Sequence, residues 1–152
     1  MKAALLHSKR LPQVVAPIFL LLASCARTPP NYSGQWQGQM RTMARGGVRQ
    51  KQVEVVFQQS GAELSGTLDH IWQIQGQVAR DGSVAFTAHF EIGVPSTTNS
   101  LDFKGSPGPT GEPYDIKSPP LALQGKGTYH MSMAYGSDET GDLELDLTKM
   151  KN

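Results

Sequence analysis

The sequence predicts an all-β fold, a single antiparallel up-and-down β-barrel of about eight strands. Apolar and polar residues alternate with a period of two along most of the chain after residue 33, and almost no stretch has the period of a helix. Turns that contain glycine separate the alternating segments. Strands with one apolar face must bury that face, and a closed barrel does so without leaving unpaired sheet edges. A β-sandwich is the alternative arrangement.

The alternating segments follow one another from Gly34 to the end of the chain. The residues predicted to face inward are, segment by segment, Trp36, Gly38 and Met40; Val53, Val55 and Phe57; Leu64, Gly66 and Leu68; Ile74, Gly76 and Val78; Val84, Phe86, Ala88, Phe90 and Ile92; Leu101 and Phe103; Leu121, Leu123, Gly125, Gly127, Tyr129, Met131, Met133 and Tyr135; and Leu143, Leu145 and Leu147. Glycines on the inner face suit the tight coiling of a small barrel.

Length, charge and cysteine content narrow the class of protein. A chain of 152 residues with 38% hydrophobic and 18% charged residues fits one domain with one core, and it is too apolar for disorder. The single cysteine excludes an intrachain disulfide and a multi-cysteine zinc site. Three of the 14 lysines and arginines lie in the first 24 residues, which leaves 11 against 13 acidic residues. Without a basic stripe, nucleic acid is not a predicted partner.

The start of the chain is typical of a secretory signal. Two lysines and an arginine precede the apolar run VVAPIFLLLA at 14–23, which is too short to span a bilayer. The sequence LASC at Leu22–Cys25 follows, and it resembles the lipobox of bacterial lipoproteins: an aliphatic residue, two small residues and a cysteine. This resemblance implies cleavage before Cys25, a diacylglyceryl thioether on its sulfur, and acylation of the new amino group.

The lipobox also divides the chain and indicates a location. It implies a signal peptide at 1–24, a tether at 25–33 that contains a proline pair, and a barrel domain at 34–152. The lipid would anchor the protein at the cell envelope. Because Ala26 follows the cysteine, where aspartate would indicate inner-membrane retention in enterobacteria, the family rule implies the outer membrane, facing the periplasm.

Two short stretches resemble the calycins, which include the lipocalin and avidin families. SGQWQG at Ser33–Gly38 is similar to their opening strand, and ELSGTL at Glu63–Leu68 is similar to the second strand of avidin-like barrels. The resemblance implies an eight-stranded barrel that holds a small ligand, and we expect a small hydrophobic molecule or lipid. Separately, no group of residues supports an enzyme, and no cofactor is predicted. The polar residues that hold biotin in avidins are not recognisable, so biotin is not predicted. The lumen would be lined by Trp36, Phe57, Phe86, Phe90, Phe103, Tyr129 and Met131.

A proline-rich loop interrupts the alternation at residues 104–120. Its five prolines are incompatible with a central strand. A loop of this length is either a neutral or disordered insertion, or a lid or partner-binding loop. In the second case Tyr114 and the SPP sequence at Ser118–Pro120 would make the contacts.

A cluster of cations lies around the first predicted turn. Arg41, Arg45, Arg49 and Lys51 occur in RTMARGGVRQK without an acidic residue between them. They form either a solvated loop or a positive rim that contacts anionic head groups, lipid A phosphates or an acidic partner.

Residues with catalytic side chains do not form a recognisable active site in the sequence. His89, His130 and Ser132 are predicted on outward strand faces, and we expect no carboxylate to be spaced so that it orients His130. The last strand carries an acidic outward face, and if the first and last strands pair, this face would lie beside the outward glutamines of the first strand. The acidic residues are Asp142, Glu144 and Asp146.

The sequence predicts no metal site. Met131 and Met133 share a face, and thioethers bind Cu(I), but His130 points to the opposite face. The methionines are therefore interpreted as core residues.

Two functions remain open from the sequence. The first is a lipid-anchored barrel that binds a small apolar ligand in its lumen. The second is an accessory lipoprotein that docks onto an envelope protein complex through its outer strand faces and the proline-rich loop. The lining of the lumen is apolar in both cases, so the volume of the lumen decides between them.

Overall fold

The structure is a computed structural model that describes residues 28–92, 97–108, 118–132 and 138–151. Its eight strands are β1 (Gly34–Ala44), β2 (Gly47–Ser60), β3 (Glu63–Leu68), β4 (Trp72–Val78), β5 (Val84–Ile92), β6 (Thr97–Pro107), β7 (Ala122–Ser132) and β8 (Asp138–Lys149). Among the described residues, no helix is long and apolar enough to cross a membrane.

The strands close into one barrel. Each strand pairs antiparallel with the next strand in sequence, and β1 also pairs with β8, from Trp36 opposite Lys149 to Met43 opposite Asp142. The predicted all-β, up-and-down barrel of eight strands is therefore confirmed. The sandwich alternative is wrong, because one continuous sheet closes on itself instead of two sheets packing face to face.

The up-and-down topology gives the barrel two distinct ends. We call the upper end the one that carries the connections 44–47, 68–72, 92–97 and 132–138. The lower end carries the connections 60–63, 78–84 and 107–122, together with the start of β1 and the end of β8.

Alternation fills the barrel with apolar side chains as predicted. The predicted inward residues whose side chains the structure describes are buried in one continuous core, apart from the five glycines, Leu121 and the partly buried Phe90 and Met131. Close approach of the strands depends on glycine: a methyl group at Gly38 would overlap the carbonyl oxygen of Asp146 on β8, and one at Gly127 would overlap that of Asp102 on β6. The absence of a side chain at these inward positions permits the tight coiling of the barrel.

Two predicted boundaries and one predicted inward residue differ from the structure. Tyr32, expected in the tether, is 0% exposed and belongs to the core. The first residues of the predicted proline-rich loop, 104–107, belong to β6, because Pro107 ends that strand, where its missing N–H is tolerated. Leu121 was predicted to face inward but is 63% exposed, because it precedes β7 at the lower end. The predicted signal peptide at 1–24 and Cys25, residues 109–117, and Met133 and Tyr135 lie outside the described residues.

Candidate functional site

A continuous row of aromatic side chains fills the lower half of the barrel. Ring centroids lie 5.7 Å apart for Tyr32 and Trp36, 6.1 Å for Trp36 and Phe57, 5.9 Å for Phe57 and Phe86, and 4.8 Å for Phe86 and Phe103. None of these side chains is more than 3% exposed. Four of the seven residues predicted to line a lumen therefore pack against one another, and a ligand beside them would have to displace side chains.

The chain before β1 seals the lower end. The Tyr32 hydroxyl donates a hydrogen bond of 2.7 Å to the Gly82 carbonyl, and the Trp36 indole donates one of 2.8 Å to the Tyr32 carbonyl. The side chain of Gln59 accepts from the Tyr32 amide at 2.8 Å and donates to the Pro30 carbonyl at 3.0 Å. The Lys149 ammonium lies 5.7 Å from the centroid of the Trp36 ring. Residues 30–32 are therefore fixed to the barrel.

The other three predicted lining residues lie at the upper end. Phe90 and Met131 are only partly buried against the core, and Tyr129 is 6% exposed. Phe90 packs edge-on against Trp72, with ring centroids 4.4 Å apart. Sequence reasoning did not include Trp72 in the lining, although it has the inward parity of Ile74 and lies at the first position of β4.

One buried polar side chain lies among these apolar residues. Asn99 on β6 is 1% exposed. Among the described residues, it is the only buried residue with a polar, non-aromatic side chain. Its Oδ1 accepts a hydrogen bond of 2.8 Å from the Ser132 amide, which fixes the orientation of the side-chain amide, since a backbone N–H can only donate. Its Nδ2 has no hydrogen-bond partner among the described residues. Sequence reasoning missed Asn99, although it shares the inward parity of Leu101 and Phe103.

A hydrogen-bonded group of polar side chains lies beside Tyr129. The Tyr129 hydroxyl donates to Glu139 at 2.6 Å, and Glu139 lies 3.6 Å from the Arg49 guanidinium. Burial raises the pKa of the Tyr129 phenol, and the hydrogen bond to Glu139 raises it further. The phenol is therefore held neutral as a donor at the upper end.

The predicted cationic rim is located on the upper halves of β1 and β2, but most of its charge is paired. Arg41 contacts Glu144 at 3.4 Å, Arg49 contacts Glu139 at 3.6 Å, and Lys51 contacts Asp69 at 2.7 Å. Arg45 lies in the turn and makes no ion pair with the described residues. The acids come from other strands and turns, so the unopposed positive patch suggested by the local sequence is not what the fold presents.

The histidine and serine of β7 meet a carboxylate that sequence reasoning did not expect. Asp138 Oδ2 lies 3.8 Å from His130 Nε2, and Ser132 Oγ donates to Asp138 Oδ1 at 3.1 Å. The expectation that no carboxylate would approach His130 is wrong, because β7 and β8 place Asp138 opposite Ser132. The serine hydroxyl donates to the carboxylate and not to the imidazole, so the arrangement does not place a base on the serine.

The acidic face of β8 lies beside β1, as expected from the pairing of these strands. Asp146 is opposite Gln39, whereas Glu144 is opposite Arg41 and contacts both Arg41 and Lys126, the latter at 3.2 Å. Among the described residues, no three histidine, cysteine or acidic side chains form a group that could hold a metal ion.

A groove runs across the outside of β4 to β7. It has a volume of about 580 Å³, and its floor is formed where Gly76 and Gly127 leave the outer surface low. Its walls carry amide, hydroxyl and charged groups, among them Gln75, Thr87, Asp102 and Lys126. This lateral groove is open to solvent, and its lining combines these polar side chains with apolar surface.

Comparison with protein-family models, with characterised proteins and with solved structures gave no match to this chain.

Proposed function

We propose that this protein is a bacterial envelope lipoprotein, anchored by lipid on Cys25 at the outer membrane and facing the periplasm, whose barrel binds a small apolar ligand without catalysing a reaction. The binding site is the upper end, between Trp72, Phe90 and Met131. The observation that carries ligand binding is the unpartnered Nδ2 of Asn99, a buried donor in apolar surroundings. An unpaired buried donor destabilises a fold by about 1–3 kcal/mol, so a donor without a partner among the described residues supports a ligand acceptor at this position.

The chemistry of the upper end indicates the class of ligand. The aromatic pair Trp72–Phe90 and the thioether of Met131 offer apolar contacts, and both Phe90 and Met131 are partly open to solvent. Asn99 Nδ2 offers a hydrogen bond to an acceptor. The ligand is therefore an apolar molecule with a carbonyl or carboxylate oxygen, such as a fatty acid or its ester. Apolar side chains around one polar anchor are typical of small-molecule sites.

Binding is tested with two probes that share one alkyl chain. Laurate carries a carboxylate acceptor, and dodecyltrimethylammonium carries no acceptor. The Cys25→Ser variant, free of the membrane, is titrated by calorimetry below the micelle concentration of each probe. We expect saturable binding of laurate with one molecule per barrel and no saturable binding of the ammonium compound. Equal binding of both probes, or binding of neither, contradicts the proposal.

The role of Asn99 is tested with a variant that keeps its size. Asn99→Leu removes the donor, and we expect a loss of about tenfold in laurate affinity, which corresponds to about 1.4 kcal/mol. The matched control is Phe103→Leu in the filled lower half, which should leave the affinity unchanged. Unchanged affinity in Asn99→Leu would overturn the assignment of the donor.

The anchor is tested separately from the ligand. Cys25→Ser removes the thiol that carries the lipid, and several acyl chains bind a membrane far more strongly than one. We expect the folded barrel to move from the membrane fraction to the soluble fraction. Retention of the serine variant in washed membranes would contradict lipid anchoring while leaving the ligand proposal standing.

Docking onto an envelope protein complex is the second candidate function, and the lateral groove favours it. The groove has a volume of about 580 Å³ on the outer strands, where a partner segment could contact Gln75, Thr87 and Lys126. Co-purification of a stoichiometric partner with the native lipoprotein, lost in Thr87→Arg, would support docking. Purification of the barrel alone with a retained apolar molecule would exclude it in favour of ligand binding.

A further inference from the structure

The chain between the proposed lipid anchor and the barrel is short. Cys25 and Pro30 are separated by five peptide steps, which span at most about 18 Å when fully extended. Pro30 is buried and accepts a hydrogen bond from Gln59, and Tyr32 is in the core. The lower end of the barrel therefore cannot move farther from the membrane surface than this length allows.

The four large apolar side chains that are exposed among the described residues divide equally between the ends. Val48, at 58%, and Ile71, at 58%, lie at the upper end, whereas Leu121, at 63%, and Met150, at 40%, lie at the lower end. Exposure alone does not distinguish the ends, so the attachment of the tether to the lower end decides which pair meets the membrane.

Backbone hydrogen bonds fix Leu121 and Met150, which flank the neighbouring strands β7 and β8, at the lower end. The Lys149 amide donates to the Leu121 carbonyl at 2.9 Å, and the following residue, Met150, donates to the Gln35 carbonyl at 2.9 Å. The charged residues described at this end include three cations and two acids. They are Arg80, Lys149 and Lys151, with Glu63 and Asp81. An apolar pair beside lysines is the composition of a surface that enters the boundary between head groups and acyl chains.

We propose that the lower end of the barrel rests on the membrane that holds the anchor, with Leu121 and Met150 in contact with the lipid interface and the upper end facing the aqueous space. This inference rests on the proposed lipid anchor at Cys25. It places the candidate ligand site and the rim residues Arg45 and Arg49 away from the anchoring membrane. An anionic partner of the rim would then be another molecule in the aqueous space and not the head groups of that membrane.

The orientation is tested by labelling one introduced cysteine in the acylated, full mature chain. Because Cys25 is the only cysteine and its sulfur is occupied by lipid, Leu121→Cys provides the only free thiol. A polarity-sensitive fluorophore is attached there, and the protein is reconstituted into vesicles of phosphatidylethanolamine and phosphatidylglycerol. Ile71→Cys at the upper end, with nearly the same exposure, is the matched control.

We expect the probe at position 121 to shift to shorter wavelength, to be quenched by brominated lipid, and to be protected from iodide. The probe at position 71 should remain accessible to iodide and unaffected by brominated lipid. Equal accessibility of both probes, or lipid contact at position 71 alone, overturns the orientation. If the anchor itself is absent, Cys25 takes up a second label and the protein does not sediment with the vesicles, which separates failure of the anchor from failure of the orientation.

Discussion

The two ends of the barrel contain similar residues but differ in how completely those residues are buried and hydrogen-bonded. At the lower end, Trp36 is fully buried, its indole N–H is bonded to Tyr32, and the Tyr32 hydroxyl is bonded to the Gly82 carbonyl. At the upper end, Trp72 packs on a partly exposed Phe90, and the buried Asn99 has one donor without a partner among the described residues.

The difference indicates a division of roles along the barrel axis. A closed end, where each described buried polar side chain has a partner, stabilises the fold. An end with an unpaired donor and partly exposed aromatic side chains is less stable than it could be, which is typical of a binding site. Substitutions that act on one end and leave the other unchanged can break or sharpen this comparison.

The largest effect is expected from removing the lower tryptophan. Trp36→Ala leaves a cavity beside Tyr32 and Phe57 and removes the hydrogen bond to the Tyr32 carbonyl, so the free energy of unfolding should fall by about 4–5 kcal/mol. Trp72→Ala should lower it by about 3 kcal/mol, because its aromatic partner is already partly exposed. Urea denaturation of both variants measures these losses. An equal loss in both, or a larger loss in Trp72→Ala, would contradict the comparison.

A smaller loss is expected where the closed barrel depends on glycine. In Gly38→Ala the added methyl group would overlap the carbonyl oxygen of Asp146, so β1 and β8 must separate, which lowers the free energy of unfolding by about 1–3 kcal/mol. Gly46→Ala, in the first turn, is the matched control because no atom lies within 4 Å of the added methyl group. Thermal unfolding of the two variants provides the measurement, and equal midpoints would show that β1 and β8 are not in close contact at Gly38.

The smallest effect concerns the upper end and appears only at high pH. Burial and the hydrogen bond to Glu139 raise the pKa of Tyr129, so the folded barrel retains this proton more strongly than the unfolded chain does. Its contribution to stability is complete below about pH 10 and is lost as the pH rises through the folded pKa. In Tyr129→Phe the decline of the unfolding free energy above about pH 10 should be shallower than in the unchanged protein. Urea denaturation in a pH series tests this, and parallel declines would speak against a raised pKa.

The fold was largely predictable from the sequence, because each strand of such a barrel has one apolar face, which produces alternating apolar and polar residues. Trp36, Phe86 and Phe103 were correctly placed inside on parity alone. Tyr32 was missed because it precedes the first alternating segment, and parity carries no information there. The proline-rich loop was predicted to begin too early, because the sequence does not distinguish a proline at the end of a strand from a proline in a loop.

The candidate site was less predictable, because it depends on register between strands that are distant in sequence. Arg49 meets Glu139 and Lys51 meets Asp69 only after the barrel closes and the turns are set. Asn99 has the parity of an inward residue, but whether a buried amide finds partners is decided by the Ser132 amide on β7. Whether side chains fill the lower half depends on their volume relative to that of the barrel, and the alternation of residues does not specify this.

The chain contains two tryptophans. Because one lies at each end of the barrel, they test the difference between the two ends most directly. Protein labelled with ¹⁵N at the indole nitrogens gives one resonance for Trp36 and one for Trp72, assigned with a Trp72→Phe variant. On titration with laurate, ligand binding at the upper end predicts that the Trp72 resonance shifts to saturation while the Trp36 resonance, hydrogen-bonded inside the closed end, stays in place. A shift of Trp36 equal to or larger than that of Trp72 would contradict the division of roles between the two ends.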